Sequence, residues 1–275
     1  MIKFFRRIRQ QLLSQNRFSK YLLYAMGEIV LVVIGILIAL SINNWNQTKQ
    51  DERNACIYLS NLIIDLQYQL LNIENQFDFE QEVVQNSEEL LSSYRSNNAF
   101  IVDDAFSQQL SILNNRLTFK IANSTFEELL SSGNTKLFEN ESLKTSLLAY
   151  FKDIERDKQV ITQNNLYVDN HFAPMALEIS THYMPNLHID GFKEIINQGF
   201  LDRGNNVPLM NKRKAYDIIN RKLKSSEYEL KLLNEITYRY RTSAVHLSIT
   251  HELKSKTENL LRTIKLELKE CSSYD

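Results

Sequence analysis

Residues 21–42 read YLLYAMGEIVLVVIGILIALSI, with Glu28 as the only charge. This run has the length that crosses a bilayer core as a helix, about 20 residues. Six basic residues precede it (Lys3, Arg6, Arg7, Arg9, Arg17 and Lys20), and no acidic residue lies before Glu28. That asymmetry places the N-terminus in the cytoplasm and sends everything after Trp45 to the other side. Tyr21 and Tyr24 fall where an inner aromatic belt would lie, and Trp45 where an outer one would. Three parts follow: a basic amphipathic cytoplasmic segment over 1–20, a transmembrane anchor over 21–45, and an exported helical domain over 46–275. Ala39-Leu40-Ser41 would serve as a signal-peptidase site. The length of the run and of the segment before it fits a retained anchor better.

The exported part is large enough, and at 43% hydrophobic residues for the whole chain apolar enough, to build a core. Residues 1–45 hold six basic residues and one acidic one, so the chain's net charge of -1 leaves -6 for the remainder. An acidic domain argues against a nucleic-acid partner. Glycine and proline do not occur between Gly35 and Gly133, nor after Pro208. Two arms without breakers around a punctuated middle read as long helices. The expected fold is mainly α: an N-terminal amphipathic helix and one transmembrane helix continuing into an antiparallel bundle of long helices.

In the first arm a heptad runs through Cys56, Ile63, Leu70, Phe77, Val84 and Leu91. A second runs through Leu59, Leu66 and Ile73, with Glu80 and Ser87 as polar breaks before Tyr94. Residues 96–104 form a polar break. In residues 123–134, Ser124 with Glu127 or Thr125 with Glu128 has capping-box spacing, and Gly133 suits a left-handed helix end. That local role accounts for Ser131 and Ser132 better than a binding loop does. A further helix is expected over about 142–169 and an irregular insert over about 171–208. The last arm carries Ile219, Leu223, Leu230, Leu233 and Ile236 at helical spacing. Its stretch TSAVHLSIT, 242–250, predicts a kink or break, followed by a second helix with Leu261, Ile264, Leu268 and Cys271 on one stripe. The run YRYR, 238–241, reads as an ordinary half-buried pattern.

No phosphate-cradling glycine loop, CxxC, HExxH or GxSxG occurs. His171, His182 and His188, with Glu178 and Asp190 nearby, are zinc-ligand types at spacings that match no metal motif. No cofactor is expected. In the anchor, Glu28, Gly35 and Ala39 share one helical face, and Gly35 with Ala39 forms a small-xxx-small pair. The face reads either as a contact for another helix or, at Glu28, as a hydrated carboxylate near the inner interface. Cys56 and Cys271 would face a shared core near the membrane if the last arm runs antiparallel to the first. An oxidising compartment would then bond them. Otherwise they are two buried thiols acting as small hydrophobes.

The segments Gly27-Glu28-Ile29, Gly35-Ile36-Leu37-Ile38-Ala39-Leu40 and Ile42-Asn43-Asn44-Trp45-Asn46 follow a basic N-terminus. With Thr125-Phe126-Glu127-Glu128-Leu129 and Ser131-Ser132-Gly133-Asn134 they resemble an uncharacterised family of bacterial single-pass membrane proteins, a domain of unknown function. The resemblance implies an inner-membrane protein with a periplasmic helical domain, and it supplies no activity. The function expected is a non-enzymatic membrane-anchored module that binds a partner or ligand in the periplasm, with a homo-oligomer or a membrane-protein partner meeting the anchor. A cytoplasmic tail of about 20 residues leaves no room for a kinase or cyclase output domain. The rival expectations are a periplasmic hydrolase or metal enzyme using the histidines of 171–190, and a structural envelope spacer.

Overall fold

The structure is a computed structural model that describes residues 18–138, 140–181 and 210–271. The basic segment expected over 1–20 lies outside the described residues except for its last three. So do His182, His188 and Asp190. All regular structure among the described residues is helical, with no strand. The chain divides into two compact units, Met1–Ile57 and Tyr58–Asp275.

The first unit is built on helix α1, Phe18–Asn97, which also contributes to the second. Over the apolar run its side chains, Leu23, Ile29, Leu31 and Leu37 among them, are exposed. In a water-soluble protein such a face would be buried, since apolar surface is driven out of water. By length and composition this helix can cross a membrane. From residue 43 polar side chains take over. Gln47 bonds Asp51 (2.9 Å) and Lys49 pairs with Glu52 (3.1 Å), ordinary contacts one turn apart on a helix surface.

In the second unit α1 ends at Asn97, and Asn98 takes a left-handed φ of 51°. Asparagine tolerates that region better than most residues. Then follow α2 (Asp104–Leu113), α3 (Ser124–Ser131), a 3-10 turn (Asn134–Leu137) and α4 (Glu141–Tyr167). A π-helical turn, Val168–Phe172, carries α4 into α5 (Ala173–Glu178); α6 (Lys212–Leu223) and α7 (Ser226–Cys271) close the chain. Residues 171–178, expected as the start of an irregular insert, are therefore helical, and the expected insert from 182 to 208 lies outside the described residues. Contacts between α1 and α7 fix an antiparallel direction: Glu74 meets Lys254, Glu80 meets His246, and Glu88 meets Tyr240. Helix α7 also runs antiparallel to α4, through Tyr150 with Thr257, Asp153 with Lys256, and Asn164 with His246.

The seam of α1 differs in part from the expected one. Leu59, Leu66 and Ile73 are buried as expected, the polar breaks Glu80 and Ser87 are buried with them, and the other half of the seam is Leu62, Gln69, Gln76, Val83 and Leu90. The apolar series Ile63, Leu70, Phe77, Val84 and Leu91 is only half-buried. Two glutamines can occupy the seam because each finds polar partners. Gln69 accepts from Ala122 N (2.8 Å) and donates to Lys120 O (3.3 Å), and Gln76 donates to Glu80 (2.8 Å). At one end of the unit Phe79, Val83, Phe106, Leu110, Val168, Phe172, Ile219 and Leu232 form a continuous apolar cluster from α1, α2, the π turn, α6 and α7. Elsewhere Phe126 of α3 stacks on Phe151 of α4, centroids 4.0 Å apart.

Helix α7 has no break over residues 242–250. Thr242 and Thr250 return their hydroxyls to carbonyls one turn back, Tyr238 O (3.0 Å) and His246 O (2.9 Å), so the polar β-branched residues stay inside the helix. The break lies instead between α6 and α7, at residues 224–225.

Neither expected capping box forms at α3. Asn123 is the cap residue and donates to Glu127 (2.7 Å) without accepting from the helix. Asp65 of α1 takes the free donors, accepting from Thr125 N (2.8 Å) and Ser124 Oγ (3.2 Å). Glu128 instead accepts from Tyr58 (3.0 Å). Gly133 does adopt the left-handed conformation, φ 68°, and both Ser131 and Ser132 bond back to Glu128 O. Asp65→Ala should therefore cost about 1 kcal/mol, the usual worth of a lost cap, and more than Glu127→Ala. Urea unfolding of the detergent-solubilised chain would measure both; a larger loss for Glu127→Ala would restore the local capping box.

Candidate functional site

The least expected feature of the second unit is a set of ionisable and amide side chains in its interior. Glu80 and Gln76 come from α1, Arg239, Ser243 and His246 from α7, and Asn164 from α4. The five from α1 and α7 are at most 1% exposed. Their spacing explains their convergence. Gln76 and Glu80 lie one turn apart on the seam of α1, and Arg239, Ser243 and His246 recur at the four-then-three interval that keeps one face of α7 inward.

Each contact has a distinct role. His246 Nδ1 lies 2.8 Å from Glu80 Oε1, and its Nε2 lies 2.9 Å from the Asn164 amide nitrogen. With the ring proton on Nδ1, the imidazole donates to the carboxylate and accepts from Asn164, so both nitrogens are satisfied. Gln76 Nε2 donates to the same Glu80 oxygen at 2.8 Å. Arg239 Nε donates to Leu113 O (3.1 Å) and Nη2 to Asn115 O (3.0 Å), closing over the C-terminal end of α2. Its Nη1 is 3.9 Å from Glu80 Oε2, and its guanidinium carbon lies 5.9 Å from the centre of the Phe79 ring. Burial alone would raise the Glu80 pKa. The His246 hydrogen bond and the Arg239 charge outweigh it, and the carboxyl sits below its ordinary value. Burial pulls the Arg239 guanidinium down from its ordinary value, and the facing Glu80 opposes this.

Two flanking layers extend the polar seam. Tyr167 packs at a tilt against Tyr238 (centroids 4.0 Å) and donates to Glu235 at 3.2 Å. Tyr150 bonds Thr257 (2.8 Å), and burial pushes its hydroxyl up to about 12. Such a seam favours one register of α1 against α7, because a slip of one turn would strand charges in the core. Among the described residues Glu80 and Arg239 are at most 1% exposed, so the seam is a closed contact between helices rather than an open cleft.

The residues singled out from sequence lie elsewhere. Glu28 is half-buried, Gly35 and Ala39 are exposed, and a Cβ added at Gly35 would meet nothing within 4 Å. Neither cysteine is a free thiol: Cys56 and Cys271 are both in the disulfide form. His171 stacks on Tyr167 (centroids 4.4 Å). Glu178 is bonded to Lys222 and lies 3.4 Å from the Tyr228 hydroxyl. Among the described residues no group of three or more His, Cys, Asp or Glu is placed to hold a metal ion; His182, His188 and Asp190 lie outside them.

Glu80, Arg239 and His246 were each visible in the sequence without being recognised as one site. Glu80 stood out only as a polar interruption of a heptad. Arg239 sat in an unremarkable run and His246 in an expected kink. The usable signal was periodic: Arg239, Ser243, His246, Thr250 and Thr257 fall on one stripe with Leu232, Ile236, Leu253 and Ile264.

The sequence profile of a family of unknown function, DUF6090, matches residues 28–170. The chain belongs to that family. The match spans α1 from Glu28 onward, with the seam residues Gln76 and Glu80, then α2, α3 and all of α4. It stops short of α7, which supplies Arg239, Ser243 and His246. No curated protein and no solved structure matches the chain significantly.

Proposed function

We propose that this DUF6090 protein is a non-enzymatic, membrane-anchored helical module that binds a partner or ligand on the periplasmic side of a bacterial inner membrane. One observation carries the reading: the apolar stretch and the first seam of the helical domain belong to a single uninterrupted helix, Phe18–Asn97. A partner bound to the domain is thereby tied covalently to the bilayer. The six basic residues ahead of the apolar run support an N-in orientation. Further support comes from Gly35 and Ala39, small residues on an exposed face of the helix, where another transmembrane helix could approach closely.

The topology is tested by fusing alkaline phosphatase, which is active only in the periplasm, after Asp275. An active fusion is expected. An inactive phosphatase, together with a fluorescent cytoplasmic reporter at the same position, overturns the orientation and the periplasmic assignment. Co-purification from native membranes, wild type against Gly35→Leu, then separates a partner held through the anchor from one held through the domain.

A further inference from the structure

Four buried polar atoms of the seam have no hydrogen-bond partner among the described residues: Glu80 Oε2, Gln76 Oε1, Arg239 Nη1 and Ser243 Oγ. Leaving one such group unsatisfied destabilises the fold, more so when it is charged. Four of them within one turn of α1 and one turn of α7 is a concentration that needs a cause. The Gln76 amide cannot be turned to relieve it, because its nitrogen already donates to Glu80 Oε1 at 2.8 Å. Nor does the ion pair close on itself, since Arg239 Nη1 and Glu80 Oε2 stand 3.9 Å apart, beyond a direct hydrogen bond. Ser243 lies near enough to the carboxylate to help hold its pKa down, yet makes no bond of good geometry.

We infer that these four atoms form a binding site for one structural water molecule, bridging Arg239 to Glu80 between α1 and α7. The chemistry of the atoms selects the ligand. Two are acceptors only, Glu80 Oε2 and Gln76 Oε1; one is a donor only, Arg239 Nη1; and the Ser243 hydroxyl can serve either way. An anion would meet a carboxylate and an amide oxygen. A metal cation would meet a guanidinium. The glutamate and arginine charges offset each other, so the site calls for a neutral molecule that donates two bonds and accepts one or two. Water does this: it accepts from Nη1 and from the serine hydroxyl and donates to the two acceptors, within the two to four bonds typical of buried waters. A separation of 3.9 Å between Nη1 and Oε2 also suits a one-water bridge with both arms near 2.8 Å, roughly the usual hydrogen-bond length.

The direct test is a crystal structure of the full chain in detergent or lipid, at a resolution that shows ordered water. The expected result is a density peak within hydrogen-bond reach of both Arg239 Nη1 and Glu80 Oε2. A dry contact in which the two atoms bond directly, or a side chain filling the gap, overturns the proposal. A solution measurement supplements it: water-oxygen magnetic relaxation dispersion counts long-lived internal waters in wild type and in Ser243→Val, whose extra methyl would displace the ligand. One fewer long-lived water is expected in the variant, and equal counts in two folded proteins overturn the site. If Ser243→Val does not fold, the wild-type density decides alone.

Discussion

Cys56→Ser and Cys271→Ser should each destabilise the full-length protein by about 5 kcal/mol, and the double variant by no more than either single one. The chain has only two cysteines, and both are in the disulfide form. A bond joining them closes a loop of over 200 residues. In the chain-entropy treatment such a loop removes on the order of 5 kcal/mol of unfolded-state freedom. The equality of single and double variants carries the argument: either serine breaks the whole cross-link, so the second has nothing left to remove. Equilibrium unfolding in detergent, with and without reductant, reads the loss. Non-reducing electrophoresis after alkylation reads the pairing. A monomer that shifts on reduction, with no thiol labelled beforehand, is the expected pattern. Two freely alkylated thiols in unreduced, denatured protein would sink the idea, and disulfide-linked dimers would replace it with pairing between copies. The expected bond also agrees with an oxidising compartment, where such cross-links persist.

How far the sequence could be read depended on what each residue's environment was made of. The helical arms were legible because breakers are missing from them and apolar residues recur on one stripe. Gly133 was legible because a left-handed position favours glycine locally, whatever surrounds it. The seam of α1 was half legible. Leu59, Leu66 and Ile73 announced themselves, but the other half lay beneath Gln69 and Gln76, which a hydrophobic count passes over in favour of Ile63 and Leu70. Those glutamines are buried because the carbonyl of Lys120, the amide of Ala122 and the Glu80 carboxylate meet them. All three are invisible to a periodicity argument, and two come from distant parts of the chain. The capping box failed for the same reason: Asp65, some 60 positions away, outcompetes Glu127 and Glu128, which sit at the right spacing. The unbroken α7 is the converse case. Its threonines and serines read as a break by intrinsic propensity, and tertiary burial of a polar stripe overrides it.

Replacing Arg239 with Met should be among the most damaging single changes in the domain, costing about 3–5 kcal/mol, as when one member of a buried ion pair is removed. Glu80 would remain buried and negative without its guanidinium, facing only the polar side chains of His246, Gln76 and Ser243, and the carbonyls of Leu113 and Asn115 would lose their donors. Glu80→Met should cost a similar amount for the opposite reason, a guanidinium left without its carboxylate. The double variant Glu80→Met/Arg239→Met should be more stable than the sum of the two losses implies, because neither charge is then stranded. It should still fall below wild type, since the carbonyls of Leu113 and Asn115 stay unpaired. The acid limb supplies an independent check with a definite sign. The folded-state pKa of Glu80 lies below its ordinary value of 4.5, so its contribution is present above about pH 4.5 and is lost as pH falls through the folded pKa. Glu80→Gln should therefore flatten the decline of stability below about pH 4.5, while leaving the protein weaker at neutral pH. Urea midpoints of the four variants and wild type between pH 3 and 7, taken in detergent, measure both effects. Additive losses in the Glu80–Arg239 cycle, or an acid limb unchanged in Glu80→Gln, would mean that the pair is not coupled in the folded protein. The polar stripe of α7 would then need another explanation.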